Sequence, residues 1–355
     1  MRAEGFAGRV NGGFARRVCA YGVGGLFGCL AVWLAVGSAS AWAATTTFTT
    51  QGCGAAVGNV FTVPAGVTSV RITATGSAGQ TFEQNIPAGT GDVVSGMLSG
   101  PQLPGQILDV CVDWGGGPGG SGPGGSGPGG NGGGAGGGAS GVALDPAFST
   151  PVLIAGGGGG NGLGGNSGGG AGLPSGGNGG SSFGGSGGGG GGTQSTGGTG
   201  GAAEPSGCGG ETCTAGLAGV RFSVAGSVGG AGGSVSGGCC GAAGGGGGAG
   251  YFGGGGAGGG GLSAPVASGG GGSDFCASTL GSCMVTDQNS SFGTASVTIS
   301  YTSPLPTSKA QCQHGGWKTF TDINDTPLFK SQGDCMSFVN TGGKNPPAGP
   351  SPRRT

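Results

Sequence analysis

Two serines stand in the G-x-S-x-G spacing of a hydrolase nucleophile, Ser167 and Ser186. That chemistry needs a strand-to-helix turn under the serine, with a histidine and an acid beside it. Both serines lie in glycine-rich text, where the spacing arises from composition alone. The one histidine, His314, sits two residues from Cys312 in a loop-like stretch. General acid–base work usually recruits histidine, but this one reads as an exposed loop residue. Asp322, Asn324 and Asp325 supply oxygens without the spacing of a calcium loop, so a turn is the reading. G-K-[ST] does not occur, and G-x-G-x-x-G strings carry no meaning outside a strand–helix frame. The sequence therefore predicts no catalytic residue, no metal site and no cofactor.

The cysteines carry the remaining chemistry. Of the 12, Cys19 and Cys29 fall in the leader described below, and an even number follows. In an exported chain that suits a disulfide framework. C-x-x-C is absent, which removes the redox motif. Local spacing favours Cys312–Cys335, Cys208–Cys213, Cys276–Cys283 and Cys53–Cys111. Cys239 and Cys240 then either bond to each other or grip separate partners. Tyr251 and Phe252 form an aromatic pair amid glycine. Two readings stand for them: pins that fill space at the edge of a sheet, or ligand-contact aromatics for sugar or protein.

Residues 1–43 have the layout of a secretory signal. Arg2, Arg9, Arg16 and Arg17 make the start basic, and an apolar run follows over 23–36. "SASAWA" then offers small residues, with cleavage expected after Ala43 or, alternatively, after Ala41. The apolar run is short for a membrane span of about 20 residues, so no transmembrane anchor is expected in the mature form. The rest of the chain is slightly acidic and has no basic patch for nucleic acid or anionic lipid. The expected location is extracellular or on the cell surface.

Glycine fills 105 of 355 positions, and only 7% of residues are charged. Ordinary chains hold about 7% Gly and about 25% charge. Three regions follow the leader. A glycine-rich β-sandwich domain is expected over 44–303, with the glycine-rich insertions at 115–272. A small disulfide-closed module follows at 304–343, and a Pro-rich disordered tail at 344–355. Val70, Ile72 and Ala74 alternate with polar neighbours, the mark of a half-buried strand. Leu108, Val110, Val112 and Trp114 are expected on one strand face, with Asp109, Cys111 and Asp113 on the other. "PVLIA" (151–155) and "VRFSVAG" (220–226) read as strands. Val297, Ile299 and Tyr301 mark a closing strand. Trp317, Phe320, Phe329 and Phe338 should form the core of the small module. It needs its cysteine staple, because so short a unit buries too little surface alone.

Collagen requires Gly at every third position. "SGPGG" at 121–125 repeats at 126–130, a period of five, which excludes it. Flexible linkers do not carry strands such as "VLIA". The remaining reading is polyglycine II: extended threefold helices side by side, joined through their backbones because no Cβ keeps them apart. Ordering costs about 1–2 kcal/mol per residue, against about 1 net per hydrogen bond and about 0.5–1 per Cα–H···O contact. Isolated glycine helices should melt, whereas helices anchored in a sandwich can stay ordered. Disordered insertions are the alternative.

"FTVPAGVTSVRITATGSAG", "PGQILDVCVDWGGGPGG", "PVLIAGGGGGNG" and "GGAGYFGGGGAGGGG" follow one another in an order that carries a resemblance. Over roughly 48–301 the chain resembles the glycine-rich β-sandwich domain of bacterial secreted and surface proteins. It is similar to the membrane-proximal ectodomain of the anaplastic lymphoma kinase receptor family. The resemblance implies a mainly β fold and an extracellular structural or ligand-binding role, and it transfers no catalytic residue. The expected function is a secreted, non-catalytic structural or adhesive cell-surface protein; the alternative is a soluble extracellular binding module. Expected partners are cell-wall polysaccharide, another glycan or an extracellular protein.

Overall fold

The computed structural model describes residues 42–64, 66–81, 87–120, 132–162, 167–182, 184–204, 212–236, 241–261, 266–287, 294–303, 305–306, 308–320, 327–342, 344–345 and 347. All of them belong to one compact unit, Ala39–Thr355. The fold is mainly β and antiparallel, as the sequence predicts. In chain order the first strands are β1 (Trp42–Phe48), β2 (Gly52–Cys53), β3 (Val60–Thr62), β4 (Ser69–Thr75), β5 (Asp92–Ser99), β6 (Ile107–Trp114), β7 (Ala139–Ala143) and β8 (Pro151–Ala155). Four two-residue rungs lie in the glycine-rich region: β9 (Thr212–Cys213), β10 (Val235–Ser236), β11 (Gly241–Ala242) and β12 (Gly260–Gly261). β13 (Phe275–Cys276), β14 (Leu280–Asp287) and β15 (Ser296–Ser303) complete the strands.

Two large sheets result. One runs β1-β15-β4-β5-β14; the other runs β13-β8-β7-β6-β2, with β3 also on β6. Each presents one apolar face, and the two faces bury a common core. Val70, Ile72 and Ala74 of β4 and Val297, Ile299 and Tyr301 of β15 meet Leu108, Val110 and Val112 of β6 there. The alternation read from the sequence is therefore the alternation of this core. Trp114 is the exception. The β6–β7 register shifts between Cys111 and Trp114, and Asp113 has φ 50°. A bulge of this kind moves the following side chain to the opposite face. Trp114 consequently packs with Cys111 in a second cluster on the outer side of the sheet, rather than with Leu108, Val110 and Val112.

That outer cluster corrects a further expectation. "VRFSVAG" is not a strand; only an isolated bridge joins Arg221 to Phe252. Val220 donates to the carbonyl of Val228 at 2.9 Å, closing a loop over the intervening residues. The loop places Phe222 against Phe148, with ring centroids 5.2 Å apart. Burial of these rings over the sheet outweighs the β-propensity of the segment.

Strand ends from both sheets run straight into glycine segments. β4 continues into 76–81, β6 into 115–120 and β8 into 156–162; segments 87–91 and 132–138 lead into β5 and β7. Within them the hydrogen bonds turn by thirds. Gly157 and Gly160 donate to Ala249 and Gly246, at 2.7 and 2.8 Å. Gly158 and Asn161 donate to Ser77 and Gln80, at 3.0 and 3.3 Å, while Gly159 donates to Gly169 at 2.8 Å. Residues three apart thus reach the same neighbour, and consecutive residues reach different ones. Segment 244–249 does the same: Gly244 and Gly247 donate to Gly233 and Gly230, Gly245 and Gly248 to Ala267 and Gly270, Gly246 and Ala249 to Gly134 and Gly137. This alternation matches the three-residue turn of a polyproline-type helix. Every residue from 241 to 250 is buried.

The junction between sheets and helices is polar. Gly76 donates to the carbonyl of Asp92 at 2.9 Å, and Asp92 donates from its backbone to Gly156 at 3.1 Å. The Asp274 carboxylate accepts from Gly156 at 2.7 Å. Asp92 and Asp274 are both fully buried.

Three expected disulfides are present. Cys53–Cys111 joins directly opposed residues of β2 and β6. Cys276–Cys283 ties β13 of one sheet to β14 of the other. Cys312–Cys335 links helices α1 (Lys309–Cys312) and α2 (Gln332–Asn340) beneath Phe320, Phe329 and Phe338, with Trp317 against them. Cys213 is also disulfide-bonded; Cys208, Cys239 and Cys240 lie outside the described residues.

A Cβ built on Gly247 would land on the carbonyl of Gly254, whereas one on Gly100 meets nothing within 4 Å. Gly247→Ala should therefore cost about 1–3 kcal/mol, as overpacking does. Gly100→Ala should be neutral or stabilising by up to about 1 kcal/mol. Thermal unfolding of the two variants beside the parent chain measures the contrast; equal melting temperatures would contradict the packing.

Candidate functional site

A cleft of about 480 Å³ opens where β6 passes into the glycine helices. Gln51, Ser77, Gln80, Asp113, Trp114 and Ser227 line it, together with Ala78 and backbone of Gly115–Gly116, Gly136–Gly138 and Gly226. Small-molecule sites span about 300–1,000 Å³. The bulge that displaces Trp114 also creates this site. Aspartate accepts the left-handed conformation at position 113 better than most residues, and both Asp113 and Trp114 line the cleft.

The polar groups are held in place. Ser77 donates its hydroxyl to Asp113 Oδ1 at 2.5 Å and accepts the backbone N–H of Gly138 at 2.7 Å. Gln51 Nε2 donates to the Asp113 carbonyl at 3.1 Å and to Asp113 Oδ2 at 3.3 Å. The backbone of Asp113 donates to Ser140 Oγ at 3.2 Å. Trp114 Nε1 donates to the carbonyl of Ser223 at 3.1 Å, fixing the ring. On the far wall Ser227 Oγ donates to the carbonyl of Gly116 at 3.1 Å or Gly229 at 3.0 Å. Gln80 is exposed, and its backbone is tied to Ala135 and Asn161. The lining thus offers amides, hydroxyls, one carboxylate and an aromatic ring.

The residues singled out from sequence lie elsewhere. Tyr251 stacks on Phe275 with centroids 4.2 Å apart, meets Phe252 edge-on at 5.2 Å, and has the Arg221 guanidinium 5.5 Å from its ring centre. Tyr251 belongs to the outer cluster, and both rings are half-buried. Ser167 is exposed, and its carbonyl accepts from Gly180. Ser186 is buried, with its hydroxyl 2.8 Å from that of Ser182. Neither serine follows a strand or opens a helix among the described residues. His314 is exposed, at φ 52°. Asp322, Asn324 and Asp325 lie outside the described residues. No group of three metal-ligating side chains occurs among the described residues.

The cleft residues were missed by sequence reading because they come from five separated segments. The available signal was local: an aspartate and a tryptophan at the point where a strand alternation meets a glycine run. No protein-family model matches the chain, and no curated protein matches it.

Asp145 and Asp109, at the opposite end of β6 and β7, have displaced acidity. The Thr150 hydroxyl foremost, then N–H groups of Ser149 and Thr150 and the Ser149 hydroxyl, hold Asp145 far below the usual carboxylate range, against the opposing effect of burial. Burial, and secondarily the charge on Asp145, push Asp109 up. A lowered carboxyl stabilises the fold above its unfolded value near 3.8 and loses that contribution as pH falls towards its folded value. The raised Asp109 acts oppositely: its contribution is complete below 3.8 and fades as pH rises through its folded value. Asp145→Asn should therefore lower the melting temperature at pH 5, with the deficit shrinking as pH approaches 2. Calorimetry of both chains from pH 2 to 6 measures this. A deficit independent of pH would contradict the assigned role of the carboxylate.

Proposed function

We propose that the chain is an exported, non-catalytic structural or adhesive protein of the cell surface. The observation that carries this reading is the glycine bundle: its interior is spent on backbone-to-backbone hydrogen bonds rather than on reactive side chains. Such an element is a stiff spacer or scaffold. Disulfides support an oxidising location. No helix among the described residues is long and apolar enough to cross a membrane. The basic, apolar and small-residue zones of 1–43 support export through a cleaved signal. The order of motifs over roughly 48–301 supports kinship with the glycine-rich sandwich domains of surface proteins.

β1 starts at Trp42 and pairs antiparallel with β15, from Ser303 back to Val297. Cleavage after Ala41 would keep the whole strand, and cleavage after Ala43 would leave Ala44 to begin it. An epitope-tagged chain should therefore appear outside the producing cell, oxidised, with its first residue at Trp42 or Ala44. Deletion of the gene should reduce attachment to surfaces or alter the envelope. Intracellular retention with an intact leader, or unchanged attachment and envelope after deletion, would overturn the proposal.

The runner-up is an extracellular binding module. The cleft beside Asp113 and Trp114 favours it and is compatible with an adhesive role.

A further inference from the structure

We infer that the Asp113–Trp114 cleft binds a neutral saccharide. The inference rests on the adhesive reading for its biological setting and on the geometry of the cleft for its chemistry. Hydroxyls of a sugar both donate and accept, and its ring presents an apolar C–H face. The cleft offers matching partners from separate walls. Asp113 keeps carboxylate lone pairs beyond those used by Ser77 and Gln51, Gln51 offers its amide oxygen, exposed Gln80 offers a whole amide, the Ser77 and Ser227 oxygens can accept, and Trp114 lines the cleft. Backbone of Gly115–Gly116, Gly136–Gly138 and Gly226 completes the lining.

The cleft is organised before any ligand arrives. Asp113 is fixed by Ser77, Gln51 and Ser140, and Trp114 by Ser223. The hydroxyl of Ser77 is oriented by accepting from Gly138 while donating to Asp113. Pre-set groups lose little conformational freedom on binding, which favours affinity for a small polar ligand. The electrostatics select among sugars. The one charged lining side chain is the Asp113 carboxylate, and the lining contains no lysine or arginine. Uronic acids, sulfated sugars and phosphates would meet a like charge with no cation to offset it. A cationic ligand is the competing chemistry, since a carboxylate and an indole also suit an ammonium group. Against it, Asp113 is the single acidic side chain of the lining, and the Gln51 and Gln80 amides suit hydroxyls better than a methylated ammonium.

The test uses the full secreted, disulfide-bonded chain. Tryptophan fluorescence and ligand-observed NMR would be followed during titration with laminaripentaose, cellopentaose, mannopentaose and chitopentaose. Trigalacturonate and choline serve as the charged arms. At least one neutral oligosaccharide should bind, and neither charged ligand should compete with it. Asp113→Asn keeps a residue tolerant of positive φ and should weaken the association about tenfold or more; Gln80→Ala should weaken it about two- to tenfold. Melting curves of both variants confirm that they are folded. Absence of binding by all four neutral sugars at millimolar concentration overturns the inference. So does binding of choline or trigalacturonate alone, or neutral-sugar affinity unchanged in both folded variants. None of these results touches the adhesive proposal, which stands or falls on export and on the deletion phenotype.

Discussion

The distance of closest approach between two backbones governs this molecule. In the glycine bundle, carbonyl oxygens of one helix lie where the Cβ of its neighbour would stand: Gly158 faces Gly89, Gly258 faces Ala202, and Gly271 faces Gly170. That spacing allows N–H and C=O groups of adjacent chains to satisfy one another in three directions. It also sets Cα–H groups against carbonyls, a weak contact individually but repeated along every helix. A buried backbone without partners would be costly, so the composition and the hydrogen-bond pattern are two aspects of one constraint. The sequence has few side chains in this region because the geometry has no room for them.

Such helices need a boundary condition. The ordering entropy of glycine exceeds that of any other residue, and the gain per bond is small. The two sheets supply the boundary. Strands β4, β6 and β8 run outward into glycine segments, and other segments return into β5 and β7. The apolar core between the sheets and the Cys53–Cys111 and Cys276–Cys283 links therefore hold several helices in register at once. In the chain-entropy view, the 58-residue separation of Cys53 and Cys111 makes that link worth about 4 kcal/mol. The bundle in turn covers the strand ends, and the buried Asp92 and Asp274 join the two parts through Gly156.

The legible parts of the fold were those with a simple period. Alternation at Val70, Ile72 and Ala74, and at Val297, Ile299 and Tyr301, survives unchanged because nothing interrupts those strands. β5 hid because Gly96 breaks its apolar pattern; a Cβ there would sit 3.0 Å from Leu280 Cδ1 on the neighbouring strand. β14 hid because its register slips between Gly281 and Met284, beside the disulfide. Three cysteine pairs followed from loop length and module boundaries. The cleft was not legible, since a single unusual φ at Asp113 decides where both Asp113 and Trp114 point. Sequence spacing carries the period of a strand but not the place where the chain leaves that period. Tyr251 and Phe252 drew attention through isolation in the text, yet their neighbours in space, Phe275 and Arg221, are distant in sequence.

Glycine backbone makes a body ordered by main-chain hydrogen bonds, and the polar side chains of the cleft gather where that body meets the sheet. The most direct measurement is amide hydrogen exchange on the intact oxidised chain. Amides of 157–161, 244–249 and 253–259 are predicted to be protected to the same order as those of β4 and β15. Exchange of those glycine amides at random-coil rates, with the strands still protected, would contradict the account.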